Sequence, residues 1–122
     1  MTYPQLLEVD ERRELLRIAR ATLREYLDSA RIPPGKPHRA SLLVPAAVTV
    51  SLHRGDHELA VATTELADRP LFRAIQEVAV EAFTAAGLDN QLTDDDLSAL
   101  VIEITVASSD APQVFRDPVP AT

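Results

Sequence analysis

Apolar and polar residues alternate one by one in three stretches of this chain and recur at helical spacing in two others. In residues 46–64, AAVTVSLHRGDHELAVATT, Val48, Val50 and Leu52 alternate with Thr49, Ser51 and His53. Beyond a short turn, Leu59 and Val61 alternate with Ala60 and Ala62. A period of two predicts strands, and the Gly55 and Asp56 step between them predicts a tight hairpin turn. Residues 100–107 return to the same period, with Ile102, Ile104 and Val106 on one face and Val101, Glu103 and Thr105 on the other. This third strand is expected to join the hairpin.

Helical spacing governs the rest. Leu15, Leu16, Ala19, Leu23, Tyr26 and Leu27 recur as one stripe, with Asp10 as the expected N-cap and Glu11 suited to the positive end of the helix dipole. Pro33, Pro34, Gly35 and Pro37 are expected to end that helix and open a loop to about Ser41. A second helix is announced by Asp68 and Pro70, buries Leu71, Ile75, Val78, Ala79, Ala82 and Phe83, and stops at Gly87. Residues 88–92 read as a loop, and Thr93 before Asp94, Asp95 and Asp96 as a brief helical turn. The expected fold is therefore α+β. A small antiparallel sheet, the hairpin plus a third strand, turns one face to two amphipathic helices; that face carries Val48, Val50, Leu52, Leu59, Val61, Ile102, Ile104 and Val106. Residues 1–9 are expected to be an irregular lead and 109–122, with Pro112, Pro118 and Pro120, an irregular tail.

At 122 residues the chain is expected to form one domain. Tyr3, Tyr26, Phe72, Phe83 and Phe115 are its whole aromatic set, so aliphatic side chains must build the core and stacking on nucleobases is disfavoured. A net charge of −7 opposes association with phosphate backbones and anionic lipid. Cysteine is absent, which removes disulfides, thiolate nucleophiles and Cys-ligated zinc. With no apolar run of membrane-spanning length and no signal-peptide pattern at the N-terminus, a cytoplasmic protein without cofactor is the expectation.

Charge is most ordered on the first helix. Arg13, Arg17, Arg20, Arg24 and Arg31 fall within a sector of roughly 60° at about 100° per residue, beside the apolar stripe. They read as an anion-binding or partner-docking ridge; a solvated helix face partly neutralised by Glu14, Glu25 and Asp28 accounts for the same residues. His53, Asp56, His57 and Glu58 at the hairpin tip lack zinc-site spacing and read as turn decoration, so no metal is expected. Arg54, Gly55 and Asp56 spell an adhesion tripeptide, but glycine and aspartate suit the turn for backbone reasons. Asp94, Asp95 and Asp96 read as first-turn carboxylates. Glu103 is the one candidate general base, with no second titratable group visible beside it. No phosphate-binding glycine loop, nucleophile elbow or zincin helix occurs.

Four segments in succession, ELLRIARATLREYL (14–27), AAVTVSLHRGDHEL (46–59), RPLFRAIQEVAVEAF (69–83) and LTDDDLSALVIEITVAS (92–108), together resemble the AMMECR-type domain, whose prokaryotic members form protein A of the AmmeMemoRadiSam system. The resemblance covers about residues 11–108. It implies an α+β, cytoplasmic protein of a family whose activity is not established. Typical members carry L-R-G-C-I-G where this chain has Leu59, Ala60, Val61, Ala62, Thr63 and Thr64, and D-P-R-F where it has Ala85, Ala86, Gly87, Leu88, Asp89 and Asn90. They also continue past the third strand into a glycine-rich, histidine-bearing portion. No catalytic residue carries over, and a degenerate, non-catalytic member is implied.

Three functions compete on these grounds. The first is a binding or assembly module that forms a homo-oligomer or meets a protein partner. The second is an enzyme with a small-molecule pocket on the polar sheet face around Thr49, Ser51, Glu103 and Thr105, floored by Ala60 and Ala62. The third and weakest is a nucleic-acid contact through the arginines.

Overall fold

The computed structural model describes residues 7–35, 37, 39–107 and 112–117. Its elements run α1 (Val9–Ser29), β1 (Val48–Arg54), β2 (His57–Thr64), α2 (Leu71–Ala85), α3 (Asp94–Ala99), β3 (Val101–Val106) and β4 (Gln113–Asp117). Short 3-10 turns at Ala40–Leu43 and Leu88–Asn90 pin Leu42 and Leu88 into the core. The fold is α+β: one antiparallel sheet in the order β2-β1-β3-β4, with the helices of the described residues packed on one face.

The apolar stripe of α1 is buried as its spacing predicts, through Leu15, Leu16, Ala19 and Leu23. Its start lies two residues earlier than Asp10 suggests. Glu8 occupies the cap, where its backbone N–H donates to Glu11 Oε1 at 2.8 Å, and Asp10 sits inside the first turn. Ser41 also donates to Glu11, and these two hydrogen bonds hold the Glu11 carboxyl below the usual carboxylate range. The helix ends at Ser29 because Ala30 turns left-handed at φ 58° and donates to Tyr26 O at 2.8 Å. Chain reversal thus precedes the proline loop.

Gly35 has a different duty from helix termination. It holds φ +74°, and a Cβ there would stand 3.0 Å from both Gln76 Nε2 and Phe72 Cε2. Gln76 is 1% exposed and donates to Thr22 Oγ1 at 3.2 Å and to Pro33 O at 3.1 Å, so one amide ties α2 to α1 and to the loop.

Pro70, rather than Asp68, stands at the cap of α2, and Asp68 instead pairs with Arg69 at 3.1 Å. Gly87 follows the C-cap at φ 71°, as the sequence suggests. Thr93 caps α3 with its hydroxyl accepting from Asp96 N at 3.3 Å, while Asp96 accepts from Thr93 N at 3.1 Å. The Thr93 N–H and the Thr93 hydroxyl both donate to Asp96 Oδ2 and, with Arg54 nearby, lower the Asp96 pKa.

Two expectations about the sheet need correction. Val61 pairs with Ser51 and is 52% exposed on the polar face, whereas Ala60 and Ala62 pair with Leu52 and Val50 and face the helices. The cause is a β-bulge: Arg54 pairs with His57 and His53 with Glu58, yet Leu52 pairs with Ala60, so Leu59 is the extra residue and alternation reverses beyond it. Small side chains there let α2 lie close over β1 and β2.

The second correction concerns the tail. Residues 113–117 form a strand, because Phe115 opposite Ile104 adds to the buried face and Gln113 Oε1 accepts from Leu7 N at 2.7 Å. The remaining expectations for the two ends, at residues 1–6, 108–111 and 118–122, lie outside the described residues.

Candidate functional site

Helix α1 presents its outer face as a groove of about 590 Å³, lined by Arg13, Leu16, Arg17, Arg20, Ala21, Arg24 and Glu25. The arginines recur at intervals of four, three and four residues. That rhythm follows the helix turn, so they form one row parallel to the axis, roughly 16 Å long at 1.5 Å per residue. Arg31 lies beyond Ser29, where the helix has ended, and is not part of the row.

The four are not equivalent. Arg20 is half-buried and donates from its two terminal nitrogens to Leu97 O at 2.8 Å and Leu100 O at 2.6 Å. It thereby satisfies carbonyls left open at the end of α3, a structural duty that nothing in the local sequence signals. Arg13, Arg17 and Arg24 are exposed and have no hydrogen-bond or ion-pair partner among the described residues. Of the three expected neutralisers, Glu14 is buried and lies 3.6 Å from Arg39, while Glu25 and Asp28 are exposed and Glu25 lines the groove. Arg12 points elsewhere, its guanidinium 5.8 Å from the centre of the Phe115 ring.

A row of three free guanidiniums over the apolar floor of Leu16 and Ala21 attracts anions and offers each a forked donor pair. One exposed ion pair contributes only about 0–1 kcal/mol, so useful affinity requires a ligand long enough to engage several at once. The geometry therefore fits an extended polyanion better than a small one.

The polar sheet face assembles Thr49, Ser51, His53, Val61, Thr63, Glu103, Thr105, Val114 and Arg116. Glu103, the candidate base, lies opposite Ser51 on one side and Arg116 on the other, and Arg116 Nε donates to its Oε2 at 3.0 Å. That ion pair engages the carboxylate from one side. Ser51 Oγ and His53 Nε2 lie 2.9 Å apart, and Thr49 and Thr63 share a hydroxyl contact at 2.8 Å. The depression on this face, about 200 Å³, lies at the far end beside Thr49, Thr63, Thr105 and Pro112 rather than around Glu103. Ala60 and Ala62 do not floor it, being on the opposite face. At the hairpin tip Asp56, His57 and Glu58 are exposed. No group of three or more His, Asp or Glu side chains that could hold a metal ion occurs among the described residues.

Arg116 and the Ser51–His53 contact escape a linear reading for different reasons. Arg116 sits in the proline-bearing tail, which carries no strand signal. Ser51 and His53 share a face at i and i+2, a signal present in the alternation itself.

No helix among the described residues is long and apolar enough to cross a membrane. No family model matches the sequence, and no curated protein matches it. Among solved structures the chain is similar to the crystal structure of an uncharacterized protein from Pyrococcus horikoshii, with 26% identity and a TM-score of 0.60 over 75% of this chain and 48% of that one. The chain thus spans about half the length of that protein.

Proposed function

We propose that this chain is a non-catalytic, cytoplasmic binding module, a divergent AMMECR-like domain, whose α1 groove docks an acidic segment of a protein partner. The observation that carries the reading is the row Arg13, Arg17 and Arg24, free of acidic partners among the described residues although the chain as a whole is at −7. A strongly acidic protein that leaves three guanidiniums unpaired on one helix face concentrates its attraction for anions there. Overall negative charge disfavours a nucleic-acid backbone as the occupant, since repulsion acts along its whole length. The sequence resemblance supports an accessory role in an AmmeMemoRadiSam-type system.

The alternative of an enzyme on the open sheet face draws on the contact between Ser51 and His53 beside Glu103. Arg116 counts against it, because it already occupies a carboxylate oxygen of Glu103 that a general base would turn to substrate.

The test is fluorescence anisotropy with a labelled polyglutamate peptide at low salt, comparing the native chain with the triple variant Arg13→Gln, Arg17→Gln and Arg24→Gln. Arg20 is left intact for its role at α3. The variant is expected to bind at least about tenfold more weakly, the equivalent of about 1.4 kcal/mol, with an unchanged melting temperature, since exposed substitutions shift stability by about 0.5 kcal/mol or less. Equal affinities would contradict the reading.

A further inference from the structure

Every residue that lines the arginine groove belongs to α1, so an occupant lies along a bare helix face rather than inside a closed pocket. The spacing of the arginines separates a strand from a helix as that occupant. At 1.5 Å per residue, Arg17 stands about 6 Å along the axis from Arg13, and Arg24 about 10.5 Å beyond Arg17. A strand sets same-face side chains about 6.6 Å apart, so its carboxylates match the first interval and miss Arg24 by about 3 Å. A helix meets both intervals with carboxylates four and seven residues apart on one face.

Between Arg17 and Arg24 the row has a gap. Arg17, Arg20, Ala21 and Arg24 stand at i, i+3, i+4 and i+7, the four corners of the hole into which a neighbouring helix inserts a side chain. Two corners keep this hole open. Ala21 offers only a methyl group, and Arg20 carries its guanidinium away to Leu97 O at 2.8 Å and Leu100 O at 2.6 Å. The stems of Arg17 and Arg24 are aliphatic, so the hole suits an apolar side chain while their charged ends meet carboxylates beside it. Glu25, one turn beyond Ala21, and the net charge of −7 both disfavour an occupant that is acidic throughout. Resting on the reading of this groove as the dock for an acidic segment, we infer that the segment is an amphipathic α-helix lying along α1. Its facing side carries carboxylates four and seven residues apart, with one leucine-like side chain between the more widely spaced pair, seated over Ala21.

Fluorescence anisotropy on the full chain at low salt tests this with labelled alanine-rich peptides of equal composition. One carries three glutamates four and seven residues apart and a leucine three residues after the second glutamate; it is made in both chain directions, for parallel and antiparallel docking. The other carries the same residues at alternate positions, the strand spacing. The better of the two helix-spaced peptides is expected to bind at least about tenfold more tightly than the alternating one, as seating one leucine requires. Ala21→Gln, an exposed substitution that fills the hole, is expected to abolish that advantage while polyglutamate binds as before. Equal affinities for the helix-spaced and alternating peptides, or an advantage that survives Ala21→Gln, would overturn the inference and leave the acidic dock standing. Failure of every peptide to bind, polyglutamate included, would overturn both.

Discussion

Gln76 shows what a single side chain contributes that its neighbours in sequence do not announce. A polar residue beside the apolar stripe of α2, it is almost fully buried and bonded to Thr22, 54 positions away, and to Pro33. Gln76→Met keeps the volume but leaves the Thr22 hydroxyl without that donor. It is expected to lower the free energy of unfolding by about 1–3 kcal/mol, measured as a lower urea midpoint at unchanged slope. A midpoint equal to that of the native chain would show that the amide only fills space. The caps at Thr93 and Asp96 were legible because both partners lie within four residues. The Gln76 bonds and the reach of Arg20 to α3 were not, because sequence spacing reports only local geometry.

At the scale of elements, periodicity located the hairpin, the third strand and both long helices, and it misassigned the inner face of β2. Alternation is reliable only while each residue faces one partner, and the extra residue at Leu59 reverses it for the rest of the strand. The sequence held the hint in Ala60 and Ala62, small residues suited to a closely packed helix. Two substitutions at adjacent positions separate the two registers. Ala62→Leu, beneath α2, is expected to cost about 1–3 kcal/mol by overpacking, and Val61→Thr, on the open face, about 0.5 kcal/mol or less. Thermal denaturation showing the reverse order would place Val61 in the core. Strand β4 escaped notice for another reason: five residues beside prolines form a strand only because β3 offers an edge and Ile104 a partner for Phe115.

For the molecule as a whole, the α+β class followed from the order of elements, and the one-sided helix layer followed from the polar residues of the opposite sheet face. The candidate site was half legible. The arginine row was visible in the helical spacing, but which arginine is structural and which three are free depended on where α3 ends and on Glu14 being buried near Arg39. Glu103 was visible as a lone carboxylate, while the Arg116 that engages it was hidden in the tail. The outer face of α1 is the proposed docking surface. The most direct measurement is a titration of the ¹⁵N-labelled chain with the polyglutamate peptide, followed by amide chemical shifts. The largest saturable shifts are expected along Arg13, Arg17, Ala21 and Arg24, with the polar sheet face unmoved. Shifts centred instead on Ser51, His53 and Glu103, or no saturable shift at low salt, would contradict it.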